Sequence, residues 1–190
     1  VKGSEHALDD VYQVMFMRRQ GGRNNEPYGS SIKSLGEFGS VEQFWGLYSH
    51  LVRPNELAAS TDYYVFRNGI LPMWEDDANK DGGRFTFRLR KGLASFVFEE
   101  VLLAFIGNAI PYPQNICGVV VSVRFQEDVI SIWIRNANEK VMFEEERAFF
   151  NELFGPIIGP CKYSQTRELE FRPHTQDAPQ SSPGKNSIQN

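Results

Sequence analysis

A short strand, a turn-rich loop and a second strand in the middle of the chain carry its most informative residues. They read Tyr63-Tyr64-Val65-Phe66-Arg67-Asn68-Gly69-Ile70-Leu71-Pro72-Met73-Trp74-Glu75-Asp76-Asp77 and then, after Ala78, Asn79-Lys80-Asp81-Gly82-Gly83-Arg84-Phe85-Thr86-Phe87-Arg88-Leu89. Residues 63–66 are rich in strand formers, and the alternation over 84–89 predicts a strand with one solvated face. The loop between them places Trp74 beside Glu75. A Trp face stacks on flat rings and attracts cations, and a carboxylate accepts hydrogen bonds, so the pair suits a flat, cationic, hydrogen-bond-donating base.

Strand and helix patterns alternate on both sides of this stretch. Further strands are predicted at 11–17, 31–38, 119–125 and 129–134, with a last one near Tyr163 and 169–171, and amphipathic helices at 41–51, 95–105 and 139–154. Ser40 and Gln43 form a capping box for the first helix, and Gly155-Pro156 is expected to end the third.

The order of these elements predicts an α+β fold with a largely antiparallel sheet, because hairpin-length links join the late strands. Three amphipathic helices then cover one sheet face and leave the other as a concave binding surface. Residues 1–10 are predicted to be a flexible arm that carries a partner-binding anchor, 11–172 the folded domain, and 173–190, which is rich in Pro, Ser, Gln and Asn, a disordered tail.

Composition favours one soluble globular domain. The chain has 190 residues, of which 41% are hydrophobic and 23% charged, and its net charge is −4. Proteins that grip long stretches of nucleic acid are usually basic, so this charge favours one nucleotide or a short end as ligand. No apolar run approaches the roughly 20 residues of a membrane span, so no membrane association is expected.

Cysteine and histidine positions predict no metal site and no cofactor. Cys117 and Cys161 fit no metal-ligand spacing, and both are expected to be reduced thiols in a cytosolic or nuclear protein. The three histidines are scattered along the chain. Asp76, Asp77 and Asp81 are the sole candidates for a metal-dependent hydrolytic centre, and we expect a binding protein rather than an enzyme.

Several motifs together resemble the eukaryotic mRNA cap-binding translation initiation factor 4E family. The similarity spans about residues 6–160, and the matching segments, in order, are 41–48, 69–76 with 82–84, 117–124 and 130–133. The resemblance implies a curved, largely antiparallel eight-stranded sheet with three helices on its convex face. It also implies a ligand, the 7-methylguanosine triphosphate end of mRNA.

The same resemblance implies roles for individual residues. The methylated base would stack between Tyr28 and Trp74, Glu75 would accept from the guanine edge, and Trp133 would lie near the methyl group. Arg124 matches a phosphate-binding arginine, and Arg84 matches the arginine that opens the strand after the Gly-Gly turn.

Three positions depart from the family pattern at this site. Tyr28 replaces a tryptophan, and Gln126 and Val129 replace two phosphate-binding lysines. These departures predict weaker cap affinity, with Arg172 as a candidate replacement cation.

A second predicted surface would bind a short helical peptide of a 4G-like scaffold factor or of a 4E-binding protein. The matching residues are His6, Leu8, Val41, Trp45, Glu100, Leu103 and Gly107. Phe98-Glu99 stands where the family usually has Trp-Leu, which suggests altered partner choice.

The expected function is therefore cap binding coupled to a scaffold partner in translation initiation, by a monomer located in the cytoplasm and also in the nucleus. Two alternatives stay open. One is a divergent cap-binding isoform that represses or specialises translation without recruiting the usual scaffold. The other is an interaction adaptor that no longer binds the cap.

Overall fold

Seven strands and three helices make up the computed structural model, which describes residues 3–19, 31–158 and 169–176. The strands are β1 (Ala7–Arg18), β2 (Lys33–Ser40), β3 (Thr61–Arg67), β4 (Gly83–Arg90), β5 (Ile116–Val123), β6 (Glu127–Ile134) and β7 (Glu170–Pro173). The helices are α1 (Val41–Tyr48), α2 (Ala94–Ile106) and α3 (Lys140–Ile158). The predicted α+β class is confirmed.

All seven strands form one curved antiparallel sheet in the order β2-β1-β3-β5-β6-β4-β7. The residue patterns predicted these seven strands. The family resemblance implied eight, and the eighth is not present among the described residues, a small difference in an otherwise matching architecture. Tyr63 to Phe66 lie in β3, whereas Tyr163 lies outside the described residues.

Alternation along the strands separates the two sheet faces. Phe85, Phe87 and Leu89 of β4 are buried on one face, while Arg84, Thr86 and Arg88 lie on the other, as the period-two pattern predicted. The buried face packs against the helices in the main core, to which α2 contributes Phe98 and Phe105 and α3 contributes Phe150 and Phe154. Burial of these large side chains is the principal source of stability for this layer.

Local chemistry sets the start of α1. Ser40 is extended and its hydroxyl accepts from the backbone N–H of Gln43 at 3.2 Å, while Gln43 Oε1 accepts from the backbone of Gly39 at 3.0 Å. The first bond satisfies a donor that a helix start leaves without an intrahelical partner, so the predicted Ser40 cap is confirmed. The Gln43 side chain reaches the residue before the cap, Gly39, rather than Ser40 itself, which differs from a full capping box.

Most predicted boundaries shift by one to three residues, and three differ more. Strand β1 begins at Ala7 rather than at residue 11, because Ala7 pairs with Ser40 of β2. Helix α3 continues to Ile158, so the predicted stop at Gly155-Pro156 is wrong; Phe150 and Phe154, buried against β4, hold the turns just before it. Residues His174–Gln176, placed in the tail by the sequence, form a short 3-10 helix, and 177–190 lie outside the described residues.

Cys117 is a buried free thiol whose pKa burial raises to about 12. Cys161 lies outside the described residues. Among the helices that the structure describes, none combines the length and apolarity that crossing a membrane requires.

Candidate functional site

The polar face of the sheet carries a cleft of about 610 Å³. Its lining includes Trp74, Glu75, Arg84, Arg124 and Trp133, which are five of the six residues predicted for the ligand site. The sixth, Tyr28, lies outside the described residues. Residues far apart in sequence therefore meet in one cleft because strands β4, β5 and β6 are neighbours in the sheet.

Internal hydrogen bonds hold the loop that presents Trp74 and Glu75. The buried amide of Asn79 donates to the carbonyl oxygens of Leu71 and Met73, each at 2.8 Å. The carboxylate of Asp76 accepts from the backbone N–H groups of Leu71 at 3.0 Å and Ala78 at 2.9 Å. Asp76 thus organises the loop, which leaves Trp74 half-buried and Glu75 exposed at the edge of the cleft.

Two glycines allow the loop to join the sheet closely. A Cβ at Gly82 would stand 1.8 Å from the carbonyl oxygen of Ile134, and one at Gly83 would stand 2.5 Å from the ring of Phe171. Any larger residue would push β4 away from β6 or β7. The Gly-Gly pair therefore fixes where Arg84 enters the cleft.

Trp133 is 9% exposed and forms one end of the cleft. It forms a T-shaped contact with the Phe66 ring, with centroids 5.6 Å apart, and the centre of the His174 ring lies 4.2 Å away. A Cβ at position 118 would come within 2.4 Å of the Phe66 ring, so Gly118 makes room for this aromatic contact. This packing fixes the indole of Trp133, which is part of a core cluster and also lines the cleft.

A buried carboxylate lies at the opposite end of the cleft. Asp62, whose side chain is 1% exposed, accepts from Arg124 Nη2 at 2.7 Å and from Arg19 Nε at 3.3 Å. Both arginines line the cleft. Sequence reasoning missed Asp62 and Arg19, because it began the third strand at Tyr63 and so left Asp62 outside the alternating pattern.

Two more arginines, on β4 and β7, line the cleft. Arg88 pairs with Glu127 and lies 4.0 Å from Glu170, and Arg172 pairs with Glu170 at 3.1 Å. The structure places the suggested replacement cation Arg172 in the cleft lining, together with Val129. Gln126 is exposed on the turn between β5 and β6 and is not part of that lining.

The two ends of the cleft therefore differ in chemistry. Trp74, Glu75 and Trp133 lie at one end, and Arg19, Arg88 and Arg124 lie at the other. Val129 is four residues from Trp133 along β6, so the two ends are about 13 Å apart at the usual strand rise. An aromatic and acidic end can hold a flat cationic ring, and an arginine end can hold phosphate oxygens.

Residues of the predicted partner surface lie on the helix side of the sheet. Val41 and Trp45 of α1 and Leu103 of α2 are between 37% and 42% exposed, and Glu100 and Gly107 are exposed as well. Leu8 packs partly against the main core. His6 accepts the backbone N–H of Val41 through its carbonyl at 2.9 Å and contacts the Glu42 carboxylate at 2.6 Å through Nδ1. That contact raises the pKa of His6 and lowers the pKa of Glu42.

Glu99, which stands in place of an apolar family residue, is held within the chain. It accepts from Arg53 at 2.7 Å, and the Arg53 guanidinium lies 4.6 Å from the ring centre of Tyr48. The contact ties α2 to the segment after α1.

Within the described ranges, no group of three His, Cys, Asp or Glu side chains is arranged to hold a metal ion.

Comparison with known proteins places these features in a family. The family model described as "Eukaryotic initiation factor 4E" matches residues 7–189. The "Eukaryotic translation initiation factor NCBP" of Arabidopsis thaliana is 42% identical over 139 residues, which cover 73% of this chain and 63% of that protein. "Eukaryotic translation initiation factor 4E-4" of Caenorhabditis elegans is 35% identical over 92% of this chain and 79% of its own length.

Solved structures agree with the sequence comparison. C. elegans eIF4E-3, solved in complex with the 4E-binding protein Mextli and cap analog, superposes with a TM-score of 0.80 at 28% identity, covering 92% of this chain and 95% of that one. Ascaris suum eIF4E-3, solved with m2,2,7G cap, gives a TM-score of 0.79 at 26% identity over 97% of both chains. The chain therefore belongs to the eukaryotic initiation factor 4E family.

Proposed function

We propose that this protein binds the 7-methylguanosine cap of mRNA in the cleft on the polar face of its sheet. The observation that carries the proposal is the chemical difference between the two ends of that cleft, with Trp74, Glu75 and Trp133 at one end and Arg19, Arg88 and Arg124 at the other. The relatives that were solved with cap analog or m2,2,7G cap support the same ligand class.

Charge and shape explain why a methylated guanine suits the aromatic end. Methylation at N7 gives the base a delocalised positive charge, so stacking on Trp74 gains a cation–π contribution that unmethylated guanine lacks. Tyr28 is proposed as the second ring of the stack. Each stacking partner contributes roughly 1–3 kcal/mol.

Glu75 and the arginines are proposed to bind the two remaining parts of the ligand, the guanine edge and the triphosphate. Guanine N1–H and N2–H are donors that the Glu75 carboxylate can accept, and adenine does not offer this pair of donors. We assign the triphosphate to Arg124 with Arg19 and Arg88, since guanidinium groups match phosphate oxygens with paired hydrogen bonds. Arg172 lies opposite Arg84 in the sheet and is assigned with it. Arg84, which lies 6.0 Å from the Trp133 ring centre, is assigned to the junction between the two ends.

Stacking, hydrogen bonds and ion pairs account for every role assigned to these residues, so we propose a cap-binding protein and not an enzyme. No step in the proposal breaks a bond. We further propose that the protein works in the cytoplasm and also in the nucleus.

The helix-side surface is proposed to bind a short helical peptide of a scaffold factor or of a 4E-binding protein. A relative was solved with the 4E-binding protein Mextli, and Val41, Trp45 and Leu103 offer partly exposed apolar contacts here.

The Arg53–Glu99 ion pair favours a second candidate function, a cap-binding isoform that represses or specialises translation. A charged pair beside α2 would disfavour peptides that place an apolar side chain there.

Titration of tryptophan fluorescence with 7-methylguanosine triphosphate tests the proposed cap site. We expect saturable quenching by the methylated ligand and much weaker binding of guanosine triphosphate. Trp74→Ala should lose retention on cap resin while circular dichroism shows an intact fold. Absence of quenching at millimolar ligand, or full retention of the variant, would reject the proposal.

Pull-down from native lysate separates the two functions of the peptide surface. Recovery of scaffold and helicase factors with the full chain favours initiation. Their absence, with cap binding retained, favours the repressive or specialised isoform.

A further inference from the structure

One aromatic side chain near the arginine end of the cleft has no role in the proposed cap site. Phe125 is 84% exposed, more than any other large hydrophobic residue that the structure describes. It lies in the three-residue turn between β5 and β6, directly after Arg124. Exposing a phenylalanine to this extent forfeits the burial energy that its ring would otherwise contribute.

Hydrogen bonds on both sides fix the turn that carries Phe125. Lys91 Nζ donates to the Arg124 carbonyl at 3.0 Å and to the buried carboxylate of Asp128 at 2.6 Å. The Arg124 side chain is bound to Asp62, and Glu127 pairs with Arg88. Phe125 therefore belongs to a well-anchored turn, and it directly follows Arg124, which lines the cleft.

The order of groups along the cleft shows what would reach this ring. A base at the Trp74 and Trp133 end directs its phosphates towards Arg124 and Arg19, at the end next to the turn. The first nucleotide beyond the phosphates of a capped RNA leaves the cleft on that side. We propose that Phe125 stacks on the base of this first nucleotide, an inference that rests on the proposed function of the cleft.

The surroundings of Phe125 favour a base over a protein partner. Along the turn its neighbours are Arg124, Gln126 and Glu127, so no apolar residue adjoins Phe125 there. Protein docking surfaces are usually contiguous apolar patches. A lone aromatic ring beside phosphate-binding cations is instead the arrangement that proteins use to stack single-stranded bases without reading their sequence.

The test compares two ligands that differ in the nucleotides after the triphosphate. The full chain is titrated with 7-methylguanosine triphosphate and with a capped trinucleotide, at one fixed salt concentration. The wild-type protein should bind the trinucleotide about fivefold to tenfold more tightly, as expected for one exposed stacking contact. Phe125→Ala should abolish that gain and leave affinity for 7-methylguanosine triphosphate unchanged, and Phe125→Trp should keep or increase the gain.

Phe96→Ala is the matched control, because Phe96 is also an exposed phenylalanine (57%) but lies on α2, on the helix side of the sheet. It should keep the wild-type gain. An equal gain in Phe125→Ala and wild type, or no gain in wild type, would overturn the stacking proposal while the cap site stands.

Failure of the wild type to bind 7-methylguanosine triphosphate at all would overturn the cap site and, with it, this inference. Loss of binding to a partner protein in Phe125→Ala, with the trinucleotide gain intact, would assign the ring to a protein contact and would also overturn the proposal.

Discussion

The carboxylate of Asp62 and the guanidinium of Arg124 lie 2.7 Å apart, with Asp62 buried beneath the cleft and Arg124 in its lining. Arg19 contacts the other oxygen of the same carboxylate at 3.3 Å. One buried negative charge thus holds two positive side chains at the phosphate end, and the local net charge stays positive. This arrangement orients both arginines before any ligand arrives, which lowers the entropic cost of binding.

Asp62→Asn should lower the free energy of unfolding by about 1–3 kcal/mol, because the amide is a weaker acceptor for two guanidinium groups at a buried position. Urea unfolding measures the change. Asp77→Asn is the control, since it makes the same chemical change at a carboxylate that is 93% exposed and pairs with Lys80 at 2.9 Å. The control should change stability by well under about 1 kcal/mol. Equal effects of the two substitutions would refute the buried role of Asp62.

Arg19→Ala should weaken binding of 7-methylguanosine triphosphate by about fivefold or more, the size of one charge-assisted hydrogen bond. Binding of the 7-methylguanosine nucleoside should not change, since it has no phosphates. The affinity of the variant for the triphosphate should also depend less steeply on salt concentration. Arg147→Ala, an exposed arginine on α3, is the control and should match the wild type. A loss that is equal for nucleoside and triphosphate would show that Arg19 does not contact phosphate.

Glu75→Gln should reduce the preference for 7-methylguanine over a methylated adenine analogue by about tenfold. Glutamine keeps the size of the side chain but offers one acceptor oxygen to two guanine donors and adds a donor of its own. Binding constants for the two ligands give the ratio directly. Glu144→Gln on α3, also exposed, serves as control. An unchanged ratio in Glu75→Gln would remove Glu75 from base recognition.

The two residues of the loop, Trp74 and Glu75, could be identified from sequence because the motif that positions them is continuous. Trp133 and Arg124 depended on family resemblance, since only strand pairing brings β5 and β6 to that loop. Asp62 and Arg19 could not be found in this way: they meet because β1 pairs with β3, with Arg18 opposite Thr61.

His174 was missed for a different reason. Its polar, proline-bearing neighbourhood is typical of a tail, yet the backbone N–H of His174 donates to the Gly82 carbonyl at 3.1 Å, which places the ring against Trp133. The end of α3 was also misplaced because local sequence does not show tertiary packing. Gly155 and Pro156 have low helix propensity, yet Phe154 packs on β4 and the helix continues past them to Ile158.

Val41→Asp should abolish binding of a helical partner peptide and leave cap binding intact. Val41 is 39% exposed in the first turn of α1, so a carboxylate there removes an apolar contact and still suits the positive helix N-terminus. Thermal unfolding should therefore stay near the wild-type midpoint, which separates this variant from a general loss of fold. Retained peptide affinity, measured by calorimetry, would remove α1 from the proposed partner surface.

The stability of the fold should depend on pH through Glu146. This side chain is fully buried in α3, and its Oε1 accepts from Asn115 Nδ2 at 2.8 Å. Its other oxygen has no hydrogen-bond partner in the parts of the chain that the structure describes. Burial raises the pKa of Glu146 from 4.5 to about 7.

Between those two pH values the folded state binds more protons at this group than the unfolded chain does. The free energy of unfolding should therefore fall as pH rises from 4.5 to about 7, by up to about 1.4 kcal/mol per pH unit, and should not change further above that range through this group. Glu146→Gln does not titrate, so its stability relative to wild type should rise across the same window. Urea unfolding at pH 5, 6, 7 and 8 measures the difference, with Glu144→Gln, exposed on the same helix, as a control that should show no such trend. A constant difference between Glu146→Gln and wild type at all four pH values would mean that Glu146 does not ionise within this range in the folded protein.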